Sequence, residues 1–334
     1  MKATKKVLNI RIILSLCTLL LLTILLFFPK ASLAGAESGI LLWFNVVLPT
    51  LLPFIIVSNL IINLKLTEGV SKVFYPLLKR FLHVSKNGSY VAIIGLLTGL
   101  PVGAKACADL VKKHMISKEE GQYLLTFCNN ASPMFLISYI SISTLDLPGK
   151  RYVFLLLIYV SAILTGFLYR FVHKKQMTSF ANITKTKITA VVSTQSVDTA
   201  QSTRPKAKFE LVDSAIMSGF DVITRVGGYI VLFSIVSNVF LSVAPANNVL
   251  SFVTVGFIEI TNGVNTLGSC FLPLNVKIAL ILSLTAFGGL SSVAQTKSVI
   301  DESGLSIRSY FVYKIINGCI TFAIVSVYLQ LCKF

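Results

Sequence analysis

Apolar residues of this chain gather in blocks about as long as a bilayer is thick, with polar residues between them or at single interior positions. An apolar helix needs roughly 20 residues to cross the hydrocarbon core. Segments 12–28, 43–64, 152–172, 222–243 and 310–331 meet that length and predict plain spanning helices. Other apolar segments are interrupted. Segment 89–111 breaks at Gly99-Leu100-Pro101-Val102-Gly103, leaving limbs of about 10 residues, too short to cross at 1.5 Å per residue, so a re-entrant hairpin is expected. Segment 123–143 is long enough to span but carries Asn129-Asn130-Ala131-Ser132-Pro133 at its middle. Segment 278–299 breaks at Phe287-Gly288-Gly289 and reads as a second hairpin, dipping in from the opposite face. Segment 249–267 reads as either amphipathic or half-inserted, and 65–87, with basic and apolar residues alternating, as a helix lying flat on the membrane surface. Within 43–64, Trp43 is expected as an interfacial anchor, and Pro49 and Pro53 as kinks.

Composition excludes a water-soluble globule. The chain is 54% hydrophobic and 13% charged, with mean hydropathy +0.81. Its 30 Lys and Arg against 13 Asp and Glu give a net charge of +17. Nucleic-acid binding is one reading of such a charge, but the basic residues lie in short segments beside apolar runs, which is the positive-inside pattern of membrane topology and anionic-lipid contact. The six cysteines stand singly with no CxxC pair and read as packing residues. The start of the chain reads as a retained spanning helix; the alternative is a cleaved signal ending near Ala34-Gly35-Ala36. Residues 173–208 are polar, rich in Thr, Ser, Lys and Gln, and predict a disordered cytosolic linker. The organisation expected is an N-terminal membrane helix (1–39), a first membrane repeat (40–172), the linker (173–208) and a second membrane repeat (209–334).

An offset of 187 aligns Tyr123 with Tyr310, Asn130 with Asn317 and Phe135 with Phe322, and brings the breaks near one another. Matched interruptions in two halves are the best sequence pointer to a transporter binding site. With the N-terminus inside, one topology satisfies both the charge bias and an inverted repeat. The fold class expected is therefore an all-α polytopic membrane protein: an inverted repeat of re-entrant hairpin plus broken transmembrane helix, with roughly 8 to 10 membrane segments.

Broken backbone at membrane depth is tolerated only where protein or a water-filled cavity satisfies its polar groups. The candidate substrate site therefore collects Gly99, Pro101, Gly103, Lys105, Asn129, Asn130, Ser132, Gly288, Gly289, Ser291, Ser292, Gln295 and Asn317. Helix N-termini at Ala104 and Ser291 favour an anionic or polar substrate. The bland readings are close helix packing for the glycines, interhelical hydrogen bonds for the asparagines, and an ion pair with Asp109 for Lys105. Glu259, with Thr261 and Asn262 after it, is the sole acid within an apolar run of the second half. Glu259 and Asn262 are candidates for binding a proton or coupling cation, the alternative being a helix end at the interface. Asp221 and Arg225 read as an interfacial pair. No HExxH, GxxxxGK[ST] or GxSxG motif is present, and no nucleophile with a base is found. No enzymatic activity, cofactor or metal is expected; oligomeric state, coupling ion and direction of transport stay open.

The stretch 98–133 (TGLPVGAKACADLVKKHMISKEEGQYLLTFCNNASP), with 287–295 (FGGLSSVAQ), resembles the sporulation integral membrane protein YlbJ family. The resemblance covers nearly the whole chain from about Trp43 onward. It implies two Gate domains, the nucleoside-recognition-like units related to concentrative nucleoside transporters, in which two hairpins and two broken helices build the site. It also implies a part in sporulation and the movement of dipicolinic acid across the mother-cell-derived outer forespore membrane. Two alternatives remain: a nucleoside-type solute transporter, and a non-transporting membrane scaffold needed for spore cortex or coat assembly.

Overall fold

The computed structural model describes residues 2–64, 66–174, 208–245 and 248–332, so most of the expected linker lies outside the described residues, as does Lys333. The described residues are helical, without strands. Helix α1 (Lys2–Phe27) stops at Phe28, which is pushed out of helical geometry before Pro29. Pro29 then starts α2 (Pro29–Leu42), the helix position that loses nothing by lacking an N–H. A π-helical turn (Trp43–Val47) joins α2 to α3 (Leu48–Asn63), which carries Pro53 in its interior. Widened turns of this kind absorb a helix distortion next to a proline.

The second apolar segment therefore begins about 14 residues earlier than its hydropathy suggested, and Ala34-Gly35-Ala36 is helical with Gly35 buried. Gly35 and Gly39 lie against Ile235 and Val231 of α9 (Lys208–Val243) with no space for a methyl group. Trp43 corrects its expectation too. Lying near the middle of a long helical stretch, its Nε1 donates to the Ile223 carbonyl at 2.9 Å and its ring covers Gly227, so it ties α2 to α9.

Helix α4 (Thr67–Leu82) leaves Val73, Phe74, Leu77 and Phe81 exposed among its basic residues. A hairpin follows. Helix α5 (Lys86–Thr98), capped by Ser85, packs on α6 (Val102–Lys112), and the turn between them holds Gly99 at φ 80°. Helix α7 (Lys118–Leu125), capped by Ser117, ends in irregular chain before a π-helical segment (Phe135–Thr144), and α8 (Arg151–Val172) follows.

Beyond the long α9, the second half repeats this order with different sequence. Helices α10 (Val249–Ile258) and α11 (Ile260–Ser269) pack on each other as a hairpin with Glu259 at its tip. Helix α12 (Leu274–Phe287) breaks at Gly288, φ 91°, and continues as α13 (Gly289–Ile300); α14 (Ile307–Leu331) closes the fold. Here the expected assignment is corrected. The second hairpin is formed by the segment left open as amphipathic or half-inserted. Segment 278–299 is instead an interrupted helix, its first limb packed on α14 and its second on α6, α9 and α10. Five helical stretches are long and apolar enough to cross a membrane among the described residues: Pro29–Ile61, Pro148–Val172, Phe209–Val243, Leu274–Ser303 and Ile307–Leu331.

Two apolar clusters form the core. One gathers α3, α5, α6, α7 and α9 with Tyr310 and Tyr313; the other gathers Phe135, Phe154, Ile158, α12 and the end of α14 with Val325 and Leu329. Between them along α14 stand Lys314, Asn317 and Thr321, and along α8 Ser161 and Thr165, all buried. The bundle thus carries a polar belt near the middle of its long helices, at the level where the interrupted elements also break.

Candidate functional site: a cavity between four chain breaks

Both hairpin tips and both helix breaks border one small cavity, part of it open to the outside. Leu100 comes from the first tip, Ser132 and Phe135 from the first break, Glu259 and Thr261 from the second tip, and Gly288, Ser291, Ser292 and Gln295 from the second break. Val47, Leu51, Val226 and Ile230 supply an apolar wall. Gly288 is favoured there by its φ of 91°, and a Cβ would in addition force the Ser292 hydroxyl, 2.6 Å away, to turn aside.

Glu259 is the charged group of this cavity and is 1% exposed. Its backbone is extended, and its carboxylate caps α11, accepting from Asn262 N at 2.8 Å, Thr261 Oγ1 at 3.1 Å and Asn262 Nδ2 at 3.1 Å. A buried carboxylate is tolerable only with such bonds, and the positive end of the helix adds to them. No Lys or Arg pairs with it among the described residues. Asn262 also donates to Ser234 Oγ at 2.5 Å, which joins the tip to α9.

A second pocket adjoins the first and shares Val226 and Gln295 with it. Pro101, Lys105, Asp221 and Arg225 line it. Both cations are held by a carboxylate four residues away on the same helix, Lys105 by Asp109 at 3.3 Å and Arg225 by Asp221 at 3.1 Å. All four side chains are at least two-fifths exposed, so these pairs are weak and exchangeable.

The remaining candidates lie behind the cavity. Asn129 and Asn130 are buried in the polar belt. Asn129 Nδ2 donates to Thr296 Oγ1 and Tyr310 OH, both at 2.9 Å, and its Oδ1 accepts from Ala104 N at 3.3 Å. Asn130 Nδ2 donates to the Phe127 carbonyl, and its Oδ1 accepts from Asn317 Nδ2 at 3.4 Å. Gly99 and Gly103 lie against Ser132 and Cys128, and Gly289 against Ile260, where each lets two backbones approach. The structure thus brings Ser132, Gly288, Ser291, Ser292, Gln295 and Glu259 to the cavity and Pro101 and Lys105 to the adjoining pocket. Asn129, Asn130, Asn262, Asn317, Gly99, Gly103 and Gly289 hold the walls together.

One buried charge was missed. Lys314 on α14 is fully buried and donates to the Asn129 carbonyl at 3.2 Å and to Asn130 Oδ1 at 3.0 Å. A lysine inside the apolar run 310–331 is itself the signal, since an ionisable residue at membrane depth is a functional candidate by default. No group of three or more His, Cys, Asp or Glu side chains suited to a metal converges among the described residues.

No protein-family model matches the chain, and no solved structure does. Among curated proteins it is 25% identical over 309 residues to the sporulation integral membrane protein YlbJ of Bacillus subtilis (strain 168), covering 87% of this chain and 76% of that one. The similarity extends over most of both chains, and with several apolar helices of spanning length it supports an integral membrane protein similar to YlbJ.

Proposed function

We propose that the protein is a secondary transporter that carries a small organic anion, with dipicolinic acid as the first candidate, across the outer forespore membrane during sporulation. The observation that carries this reading is the meeting of four chain interruptions at one cavity. Helices are broken at membrane depth at the cost of backbone hydrogen bonds, and transporters place substrate and ion sites at such breaks. The twice-repeated order of hairpin, interrupted helix and long helix supports an inverted repeat whose halves rock about the cavity to expose it alternately. The setting in sporulation is taken from the likeness to YlbJ.

Electrostatics suggest how an anion is handled. A flat dicarboxylate first meets Lys105 and Arg225 in the outer pocket, where each cation can exchange its neighbouring carboxylate for one of the substrate. The inner cavity offers hydroxyls, an amide and Glu259, and a dianion would be repelled by an ionised Glu259. Anion entry therefore goes with protonation of Glu259, which makes the carrier proton-coupled. A second reading, carriage of an uncharged polar solute of nucleoside type, is favoured by the absence of a basic side chain from the inner lining.

The test is uptake of radiolabelled dipicolinate into proteoliposomes holding the purified protein, with and without an imposed pH gradient. Saturable uptake that the gradient drives in wild type but no longer in Glu259→Gln supports the proton-coupled anion carrier. Absence of dipicolinate uptake together with saturable nucleoside uptake selects the second reading. No uptake of either by folded protein points to a non-transporting scaffold.

A further inference from the structure

Lys314 is the most unusual group of the polar belt. It is 0% exposed, lies in a helix long and apolar enough to cross a membrane, and has no carboxylate partner among the described residues. Both of its acceptors are carbonyl-type oxygens at the broken end of α7. That end is built to present them. The last turn of α7 closes with Cys128 N donating to the Leu124 carbonyl at 2.9 Å, and the Asn130 side-chain amide caps the Phe127 carbonyl at 2.6 Å, which turns Oδ1 toward α14. The Asn130 carbonyl is already taken by Leu100 N of the hairpin tip at 2.8 Å, so the oxygens that meet the Lys314 amine are the Asn129 carbonyl and Asn130 Oδ1, which also accepts from Asn317 Nδ2 at 3.4 Å.

Unwound carbonyls at the C-terminal end of a half-helix, where the dipole is negative, are the groups with which secondary transporters hold a sodium ion or a proton. We propose that Lys314 is a tethered cation, its ammonium standing at this oxygen-lined break in the place that a free monovalent metal ion would otherwise take. A side chain without a donor there would take the Asn129 carbonyl's partner away and leave Asn130 Oδ1 with only the Asn317 amide at 3.4 Å, and a free ion would have to be bound and released in each cycle. The covalent tether keeps the charge in place, so Lys314 acts as a positioning residue that holds the α7 break beside α14. Its functional consequence, carriage without sodium, rests on the transporter reading; the tethered charge itself does not.

Thermal unfolding of the purified full-length protein in detergent tests it at fixed ionic strength. Wild type should melt at the same temperature in sodium chloride and in choline chloride. Lys314→Ala should melt several degrees lower in choline chloride and recover saturably with n-propylammonium chloride, the fragment that the substitution removes. Lys314→Met, which fills the volume without charge, should melt low and recover with neither. A sodium-specific rise in wild type, a Lys314→Met protein as stable as wild type, or no recovery of Lys314→Ala with propylammonium would each overturn the proposal. The wild-type comparison needs no variant, so it still tests the proposal where Lys314→Ala does not fold. Melting involves no transport, so a failed rescue leaves the carrier reading standing, and failed uptake leaves the tethered cation standing.

Discussion

Asn130 and Asn317, 187 residues apart, meet side chain to side chain, with Asn317 Nδ2 donating to Asn130 Oδ1 at 3.4 Å. Their equal spacing from other matched residues had suggested equivalent places in a repeat. In the structure they contact each other, one in the break after α7 and one on α14. Asn317 also donates to the Ala286 carbonyl just before the second break and accepts from Thr165 of α8, so one amide joins both breaks to two long helices.

Removing these amides should destabilise the bundle in a definite order. Asn317→Ala leaves neutral partners unpaired and should cost ~1–3 kcal/mol. Asn130→Ala also strips one of the two acceptors from buried Lys314 and should cost more, with about 1.5–3 kcal/mol from that bond alone. The double variant should fall short of the sum, because the two share a bond. Denaturation in mild detergent ranks the three, and additive losses would show that the belt is not one network.

Gly288→Ala should be far more harmful than Gly228→Ala. At Gly288, φ is 91° and the added methyl meets Ser292 Oγ at 2.6 Å, whereas nothing lies within 4 Å at Gly228. The expected cost at 288 is ~1–3 kcal/mol. Alanine at 228, inside α9, should instead stabilise by up to ~1 kcal/mol through helix propensity. Paired melting curves check the contrast, and equal behaviour would mean that the α12–α13 break is not held as described.

Stability should depend on pH through Glu120. Burial is the main cause that pushes its carboxyl above the usual 4.5, against the lowering effect of the bond it accepts from Ser85 N at 2.7 Å. A carboxyl whose folded value exceeds its unfolded value binds its proton more tightly in the native state. Stability therefore falls as pH rises from about 4.5 toward that raised value, and is flat beyond it. Glu120→Gln keeps an acceptor for Ser85 and should flatten this slope. Unfolding followed across the acid range measures the difference.

Lys105→Gln and Arg225→Gln should weaken capture of a dicarboxylate and leave its passage nearly unchanged. Both cations are partly exposed and paired, so each is worth ~0.5–1 kcal/mol, a rise in KM of about 2- to 5-fold. The effect should shrink at high salt, as screening predicts. Concentration series of dipicolinate uptake at two ionic strengths provide the check; a fall in maximum rate with KM constant would put these residues outside the capture step.

Hydropathy and charge placement alone determined that this is an all-helical membrane protein, that it carries chain breaks at Gly99–Gly103, Asn129–Pro133 and Gly288–Gly289, and that Glu259 is unusual. These follow from local physics: apolar length sets where helix can cross lipid, and Gly, Pro and Asn mark where it stops. Which segments fold back as hairpins was decided only by tertiary packing. Segment 249–267 and segment 278–299 are both apolar with one polar interruption, and their sequences do not say whether two limbs turn onto each other or diverge to other neighbours. Ser132 and Glu259 reach the cavity from non-helical chain and Ser292 from α13, while Asn129 and Asn130 stand behind it, because no helical period fixes which side of a break faces inward and the packing of the bundle selects it. Lys314 was legible as a charge within an apolar run, but its acceptors lie 184 and 185 residues away on another element, and only the fold brings them to 3.0 and 3.2 Å.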